Sequence, residues 1–204
     1  LEEFENVLKE TIGILKSYDI VWVSVGSVLC AAAKLAMQHN LKNLFTGLGT
    51  EEIFAGYQRH EDALKLKISL FHDKQNFYPN FEAVHKECWN GLKNMWHRDL
   101  LRDFKIAKHF GLELITPYMD INIIKTAMSL HPMHKLDKEN KKIILREVAE
   151  EFNLSKEFAW RKKKAAQYGS NFVKGIDKLA AKNGFSTKKE YLQSLLYKTK
   201  FPPL

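Results

Sequence analysis

The residues best placed to do chemistry run from Leu44 to Tyr57, reading Leu-Phe-Thr46-Gly47-Leu48-Gly49-Thr50-Glu51-Glu52-Ile-Phe-Ala-Gly-Tyr. Two glycines let a backbone approach a ligand closely. If this stretch leaves a strand and opens a helix, its N–H groups face any phosphate set there. Glu51 and Glu52 in a first turn suit the helix dipole, and one of them could hold Mg²⁺ against a phosphate chain. On its own, GxGxxE is a weak signal, because a capped structural turn has the same composition.

Other residues have chemical potential but no diagnostic spacing. Arg102 and Asp103 are adjacent, as a helix-surface ion pair would be. Lys142 lies in a helical pattern, where most lysines are solvated. The densest basic cluster is Arg161-Lys162-Lys163-Lys164. Such runs are usually solvated faces, although Arg161 and Lys163 have the reach to meet phosphate. Cys30 sits in an apolar run and Cys88 stands apart from it. Neither has metal-ligand spacing; Cys30 is expected as a buried thiol, and so sparse a pair fits a reducing, cytoplasmic setting.

The elements that must position these residues follow from periodicity. Glu2 to Ser17 has helical spacing at Phe4, Val7, Leu8, Ile12 and Leu15. Asp19 to Val25 is β-branched and reads as a buried strand. Ser27 is expected to cap a helix to about Gln38, and Leu41 to Thr46 to form a second strand. Together these would make a βαβ unit. Helices are expected over Glu51–Tyr57, Phe81–Trp96, Leu100–Phe110, Asp120–Ser129, Lys138–Phe152, Ser170–Lys182 and Thr187–Tyr197. Gly111 should stop one of them, and Leu114–Pro117 should be extended. The expected class is α/β, helix-heavy, in a single domain over residues 1–204. Two strands are too few for a sheet that is stable alone.

Four motifs in order give a resemblance to the asparagine synthase family. The family loop reads roughly S-G-E-G-S-D-E-x-F-x-G-Y, matched here by Thr46 to Tyr57. Its V-P-F-L-D is similar to Thr116-Pro117-Tyr118-Met119-Asp120. Its K-x-I-L-R-E is similar to Lys142-Ile143-Ile144-Leu145-Arg146-Glu147, and its W-R-x-K to Trp160-Arg161-Lys162-Lys163. The stretch Lys164 to Ser170 resembles asparagine-synthetase-domain relatives more than the bacterial biosynthetic enzyme. The resemblance spans about residues 18–172.

The resemblance implies part of a parallel sheet of the pyrophosphate-loop (PP-loop, adenine-nucleotide α-hydrolase-like) type, with a helix-rich C-terminal part. It also implies ATP and Mg²⁺ as cofactors and a reaction that adenylates a small carboxylate for attack by ammonia or an amine. By position, Thr46, Gly47, Gly49, Thr50 and Asp103 would line the nucleotide. Glu51 would hold the metal, and Lys142 would stabilise charge on phosphate and carboxylate. Asp120 is expected to cap the helix that follows it.

Three departures qualify these expectations. The family's S-G-G-x-D-S pyrophosphate loop has no match, and its place would be upstream of Leu1. Leu48 stands where the family has glutamate, and leucine handles no proton. Ile115 stands where an arginine often precedes V-P-F-L-D. No residue matches the amidotransferase's nucleophilic cysteine, so a glutaminase would be an upstream domain or a separate subunit. Two other readings remain open. One is a catalytically degenerate nucleotide-binding or scaffold protein. The other is a tRNA-modifying relative, for which the chain carries no recognised RNA-binding module.

Bulk composition sets the outer bounds. The chain has 204 residues, of which 45% are hydrophobic and 27% charged, with a net charge of +8. That suits a soluble globular chain with acidic partners such as nucleotides. The longest unbroken apolar run, Val28 to Ala33, is far short of the roughly 18 residues a membrane helix needs, and no membrane partner is expected. The N-terminus has no signal-peptide pattern, and a start at Leu1 is expected to follow further sequence.

Overall fold

A computed structural model describes residues 1–66 and 79–200, with side chains described as far as 198. In chain order it contains α1 (Glu2–Leu15), α2 (Ile20–Gln38), β1 (Asn43–Phe45), α3 (Thr50–Ile53), α4 (Gln58–Leu64) and α5 (Phe81–Met95). These are followed by α6 (Leu101–His109), β2 (Glu113–Ile115), α7 (Ile121–Ser129), α8 (Ile143–Glu151), α9 (Lys156–Ala159), α10 (Ala166–Gly169), α11 (Phe172–Lys182) and α12 (Lys188–Lys200). A π-helical turn, Trp96–Leu100, joins α5 to α6. The architecture is α/β and mostly helical, with one small parallel sheet. The chain divides into two compact units.

The first unit comprises residues 1–45, 97–115 and 163–204. Its core is built by α1, α2, α11 and α12, from Leu8, Ile12, Val23, Ile176, Leu179, Tyr191, Leu192 and Leu195. The expected strand at Asp19–Val25 is instead the first two turns of α2. Asp19 caps this helix, its carboxylate accepting from the Trp22 N–H at 2.8 Å. Val23, Gly26, Ser27, Cys30 and Ala33 then fall on one buried stripe. That 3-and-4 spacing, sustained over the length of the helix, overrides the β-branched composition of its start. Ser27 is accordingly no cap. It lies in mid-helix and donates its hydroxyl to the Val23 carbonyl at 2.7 Å. By length and composition α2 is also long and apolar enough to cross a membrane, a property concealed by Ser24, Gly26 and Ser27, which interrupt its apolar runs. Here it packs against α1, α6, α11 and α12 as the central helix of the unit.

The sheet therefore differs from the expected βαβ unit of strands at 19–25 and 41–46. It pairs β1 in parallel with β2, in register Asn43–Glu113, Leu44–Leu114 and Phe45–Ile115. Gly111, at φ 64°, reverses the chain after α6, as expected, and leads directly into β2.

The second unit comprises residues 46–96 and 116–162. Its elements are short and surround a core of Ile53, Phe54, Ala63, Leu64, Val84, Cys88, Ala127, Met128 and Leu136. Asp120 caps α7 as expected, accepting from the Asn122 and Ile123 N–H groups at 2.8 and 3.3 Å. The helix expected from Lys138 begins only at Ile143. Residues 137–140 form a tight turn instead, in which the Asp137 carboxylate accepts from the Glu139 and Asn140 N–H groups at 2.7 and 2.6 Å. Aspartate competes with helix geometry in this way wherever it can bond its own following backbone.

Candidate functional site

The glycine loop leaves β1 at Thr46 and turns into α3. The Thr46 hydroxyl oxygen accepts from the Leu48 N–H at 3.1 Å, and the Thr50 N–H and hydroxyl both donate to the Gly47 carbonyl. Gly49 adopts φ 95°, which L side chains rarely adopt. A Cβ there would lie 2.7 Å from Met119 Sδ and 3.3 Å from the Tyr118 carbonyl oxygen. Glycine is thus required on two counts, conformation and space. The same contact brings the Thr116–Asp120 segment against the loop, so two of the four sequence motifs meet here.

α3 is shorter than the Glu51–Tyr57 helix expected. It ends at Ile53, and Ala55 turns left-handed at φ 54° so that the Gly56 N–H reaches back to the Glu51 carbonyl at 2.8 Å. One turn of helix carries little of the macrodipole, so side-chain charge dominates here. The two glutamates have different fates. Glu52 is buried, with Arg59 Nη2 at 3.8 Å, and Arg59 Nε is 2.7 Å from Glu87. Its carboxylate belongs to the interior. The Glu51 carboxylate accepts from Lys142 Nζ at 3.0 Å, with both side chains mostly covered.

Lys142 is not a solvated helix lysine. It occupies the N-cap of α8 in the left-handed region, at φ 57° and ψ 39°. A non-glycine residue held there costs on the order of 1 kcal/mol and persists only where its surroundings fix it. Lys141 beside it pairs with Glu61 at 2.5 Å. Thr46, Gly47, Gly49, Thr50, Glu51 and Lys142 all lie in the second unit, whereas Asp103 lies in the first. Asp103 and Arg102 are not a surface pair. Both are buried, Arg102 Nε donating to Asp103 at 2.6 Å and Nη1 to Asp99 at 3.2 Å. Burial pushes the Asp103 carboxyl above its ordinary range, against the opposing pull of Arg102.

A metal at this site would find one suitable carboxylate, Glu51. Among the described residues no three His, Cys, Asp or Glu side chains cluster. Such a donor set fits a hard cation carried in by phosphate oxygens rather than one caged by protein. Arg161 is exposed, and Lys163 falls in the other unit. Leu48 is half-buried within the loop, and Ile115 is half-buried in β2. Cys30 and Cys88 are free and fully buried, their thiols pushed up by burial.

Three features of this unit are not evident from spacing. Arg146 Nε donates to the Lys141 carbonyl at 2.7 Å, and its Nη1 to the carbonyls of Ala159 at 2.8 Å and Arg161 at 3.2 Å. His60 is fully buried, its Nδ1 accepting from the Tyr57 N–H at 3.1 Å. Burial, with Arg59 nearby, pushes its pKa down to about 4. Lys135 is also fully buried, and Nζ has no hydrogen-bond partner. Burial lowers its pKa. A polar residue whose burial depends on distant elements leaves no periodic signal. Arg146 stands in the Lys142 motif, but its spacing does not report the carbonyls it reaches.

The chain is 29% identical to a putative glutamine-hydrolysing asparagine synthetase of Methanocaldococcus jannaschii over 95% of its own length and 40% of that protein's. It is 24% identical to a probable asparagine synthetase of Schizosaccharomyces pombe, over 84% of the chain and 30% of the relative. For the asparagine synthetase of Brassica oleracea the identity is 26%, over 87% and 29%. The chain thus spans well under half the length of these relatives. The asparagine synthase family model matches residues 1–202. With the glycine loop, the Thr116–Asp120 turn and the Lys142 motif joined in one unit, and that match running almost end to end, the chain belongs to the asparagine synthase family.

Proposed function

We propose that this chain supplies the ATP-using ligase site of an asparagine-synthetase-like enzyme. The observation that carries this reading is the Lys142–Glu51 contact. It joins two motifs 91 residues apart and sets one cation and one carboxylate, both largely shielded from water, beside a glycine-shaped loop.

In the proposed reaction a substrate carboxylate oxygen attacks the α-phosphorus of ATP. The bond to the bridging oxygen breaks and pyrophosphate leaves. An amine, ammonia in the simplest case, then attacks the acyl carbon and expels AMP. Thr46, Gly47, Gly49 and Thr50 line the phosphates, and Asp103 is assigned to the nucleotide. Lys142 neutralises charge as it builds on the phosphate and carboxylate oxygens, which is where a fixed cation in a low-dielectric site lowers the barrier most. Glu51 would hold a Mg²⁺ arriving with ATP. That ion would add charge neutralisation at the leaving pyrophosphate. The pyrophosphate-loop type of sheet, a cytoplasmic setting and one continuous synthetase domain belong to the same proposal. The relatives are named as glutamine-hydrolysing, so a glutaminase domain or subunit is the proposed ammonia source.

Leu48 favours a second reading in which the site binds nucleotide without turnover, because the loop centre has no proton acceptor. Exchange of labelled pyrophosphate into ATP by the full chain with candidate carboxylates separates the two. Exchange that disappears in Lys142→Ala supports the ligase. Mg-ATP binding without exchange supports the degenerate reading.

A further inference from the structure

We infer that Arg146 is the positioning residue of this site: its guanidinium braces the strained backbone of Lys142 and ties it to the Ala159–Arg161 segment. The inference deepens the ligase reading and rests on it for the identity of the ligand alone.

The chain places Lys142 in a conformation it would not choose. A left-handed lysine at the head of a helix needs external restraint, and the restraints converge from both sides. The Arg146 N–H reaches the Lys142 carbonyl at 3.2 Å, and the Ile143 N–H reaches the Lys135 carbonyl at 3.0 Å. Arg146 Nε takes the Lys141 carbonyl at 2.7 Å, immediately before the strained residue. The same planar group then spends Nη1 on Ala159 and Arg161. An arginine can do this because its donors form a rigid fork, and a lysine in its place reaches one carbonyl at a time. The fork is itself held. Its Cζ lies 5.7 Å from the centre of the Trp160 ring, and Trp160 Nε1 donates to Glu150 at 2.8 Å. Arg146 thus touches no reacting atom. It acts through Lys142, and it anchors the backbone from which Arg161 and Lys162 project.

The test is per-residue acetylation of lysines in the folded full chain, read by mass spectrometry, with exposed Lys125 on α7 as the internal reference. In Arg146→Gln the Lys142 reactivity should rise about fivefold relative to Lys125, with an intermediate value in Arg146→Lys. Unchanged Lys142 labelling in variants that melt as wild type overturns the brace. Should Arg146→Gln fail to fold, Trp160→Leu loosens the same fork and should raise Lys142 labelling about twofold. No rise there, together with none in Arg146→Lys, also overturns the brace.

A second arm uses Mg-ATP. Arg146→Gln should weaken binding about tenfold in the wild-type background and less than about twofold in Lys142→Ala, because a residue acting through Lys142 has little left to position. Equal losses in both backgrounds overturn that coupling and leave Arg146 merely structural. If wild type binds no Mg-ATP, the ligase reading fails, while the labelling arm still decides the brace.

Discussion

The two units of this chain bury their charges in opposite ways. In the first, long helices carry an apolar core, and the buried Arg102 and Asp103 end a ladder that starts at half-buried Arg98 and Asp99, with contacts of 2.6 to 3.2 Å. In the second, short elements surround the core, and Lys135 Nζ and His60 Nε2 are buried without a hydrogen-bond partner. Buried polar groups are normally satisfied, and exceptions concentrate where a protein keeps strain for use. Regular packing explains the first unit almost completely. In the proposed function, the Lys142–Glu51 ion pair of the second unit holds a ligand site in shape.

The largest effect that sharpens this contrast is a core deletion in the first unit. Leu192→Ala empties a fully buried position among Leu8, Ile12 and Ile176 and should cost about 3–5 kcal/mol in urea denaturation. A loss under about 1 kcal/mol would mean that this core is not the main support of its unit.

Next in size is the acid response of the second unit. The folded pKa of His60, about 4, lies below its unfolded value of 6.5. Between these values the unfolded chain binds the extra proton, so stability falls as pH drops through that window. The loss by pH 4 should approach about 3 kcal/mol. His60→Gln should flatten that slope, as followed by denaturant midpoints at pH 7 and pH 4.5. An unchanged slope would assign the acid response to other groups.

Smaller effects concern the glycine loop and the strained lysine. Gly49→Ala should destabilise by about 2 kcal/mol, through its left-handed backbone and the clash with Met119. It should weaken nucleotide binding more than thermal melting alone would suggest. Smallest is the difference between two removals of Lys142. Lys142→Gly should be about 1 kcal/mol more stable than Lys142→Ala, because glycine adopts φ 57° freely. Both should lose Mg-ATP binding alike. Equal stabilities would show that position 142 is unstrained.

The sequence carried the family's motifs more clearly than the fold. The glycine loop, the turn at Asp120 and the lysine motif were legible because each needs particular residue types at fixed spacing. Asp19 to Val25 misled because β-branched composition is a weak prior beside a buried stripe continued to Ala33. Hydrophobic spacing puts Lys142 inside a helix because it does not report the backbone bonds of the Asp137 turn, which delays α8. The burial of Arg102, Asp103, His60 and Lys135 was invisible for a different reason. Each is enclosed by elements distant in sequence, and polar residues leave no periodic trace.

In the proposed function Lys142 and Glu51 together form a phosphate-chain site. Titration calorimetry of Mg-ATP into the full chain, its Glu51→Gln variant and its Lys142→Ala variant tests it most directly. Saturable one-to-one binding is expected for the wild-type chain, weakened at least about tenfold in each variant, with the magnesium dependence lost in Glu51→Gln. Binding of equal strength in all three proteins would contradict it.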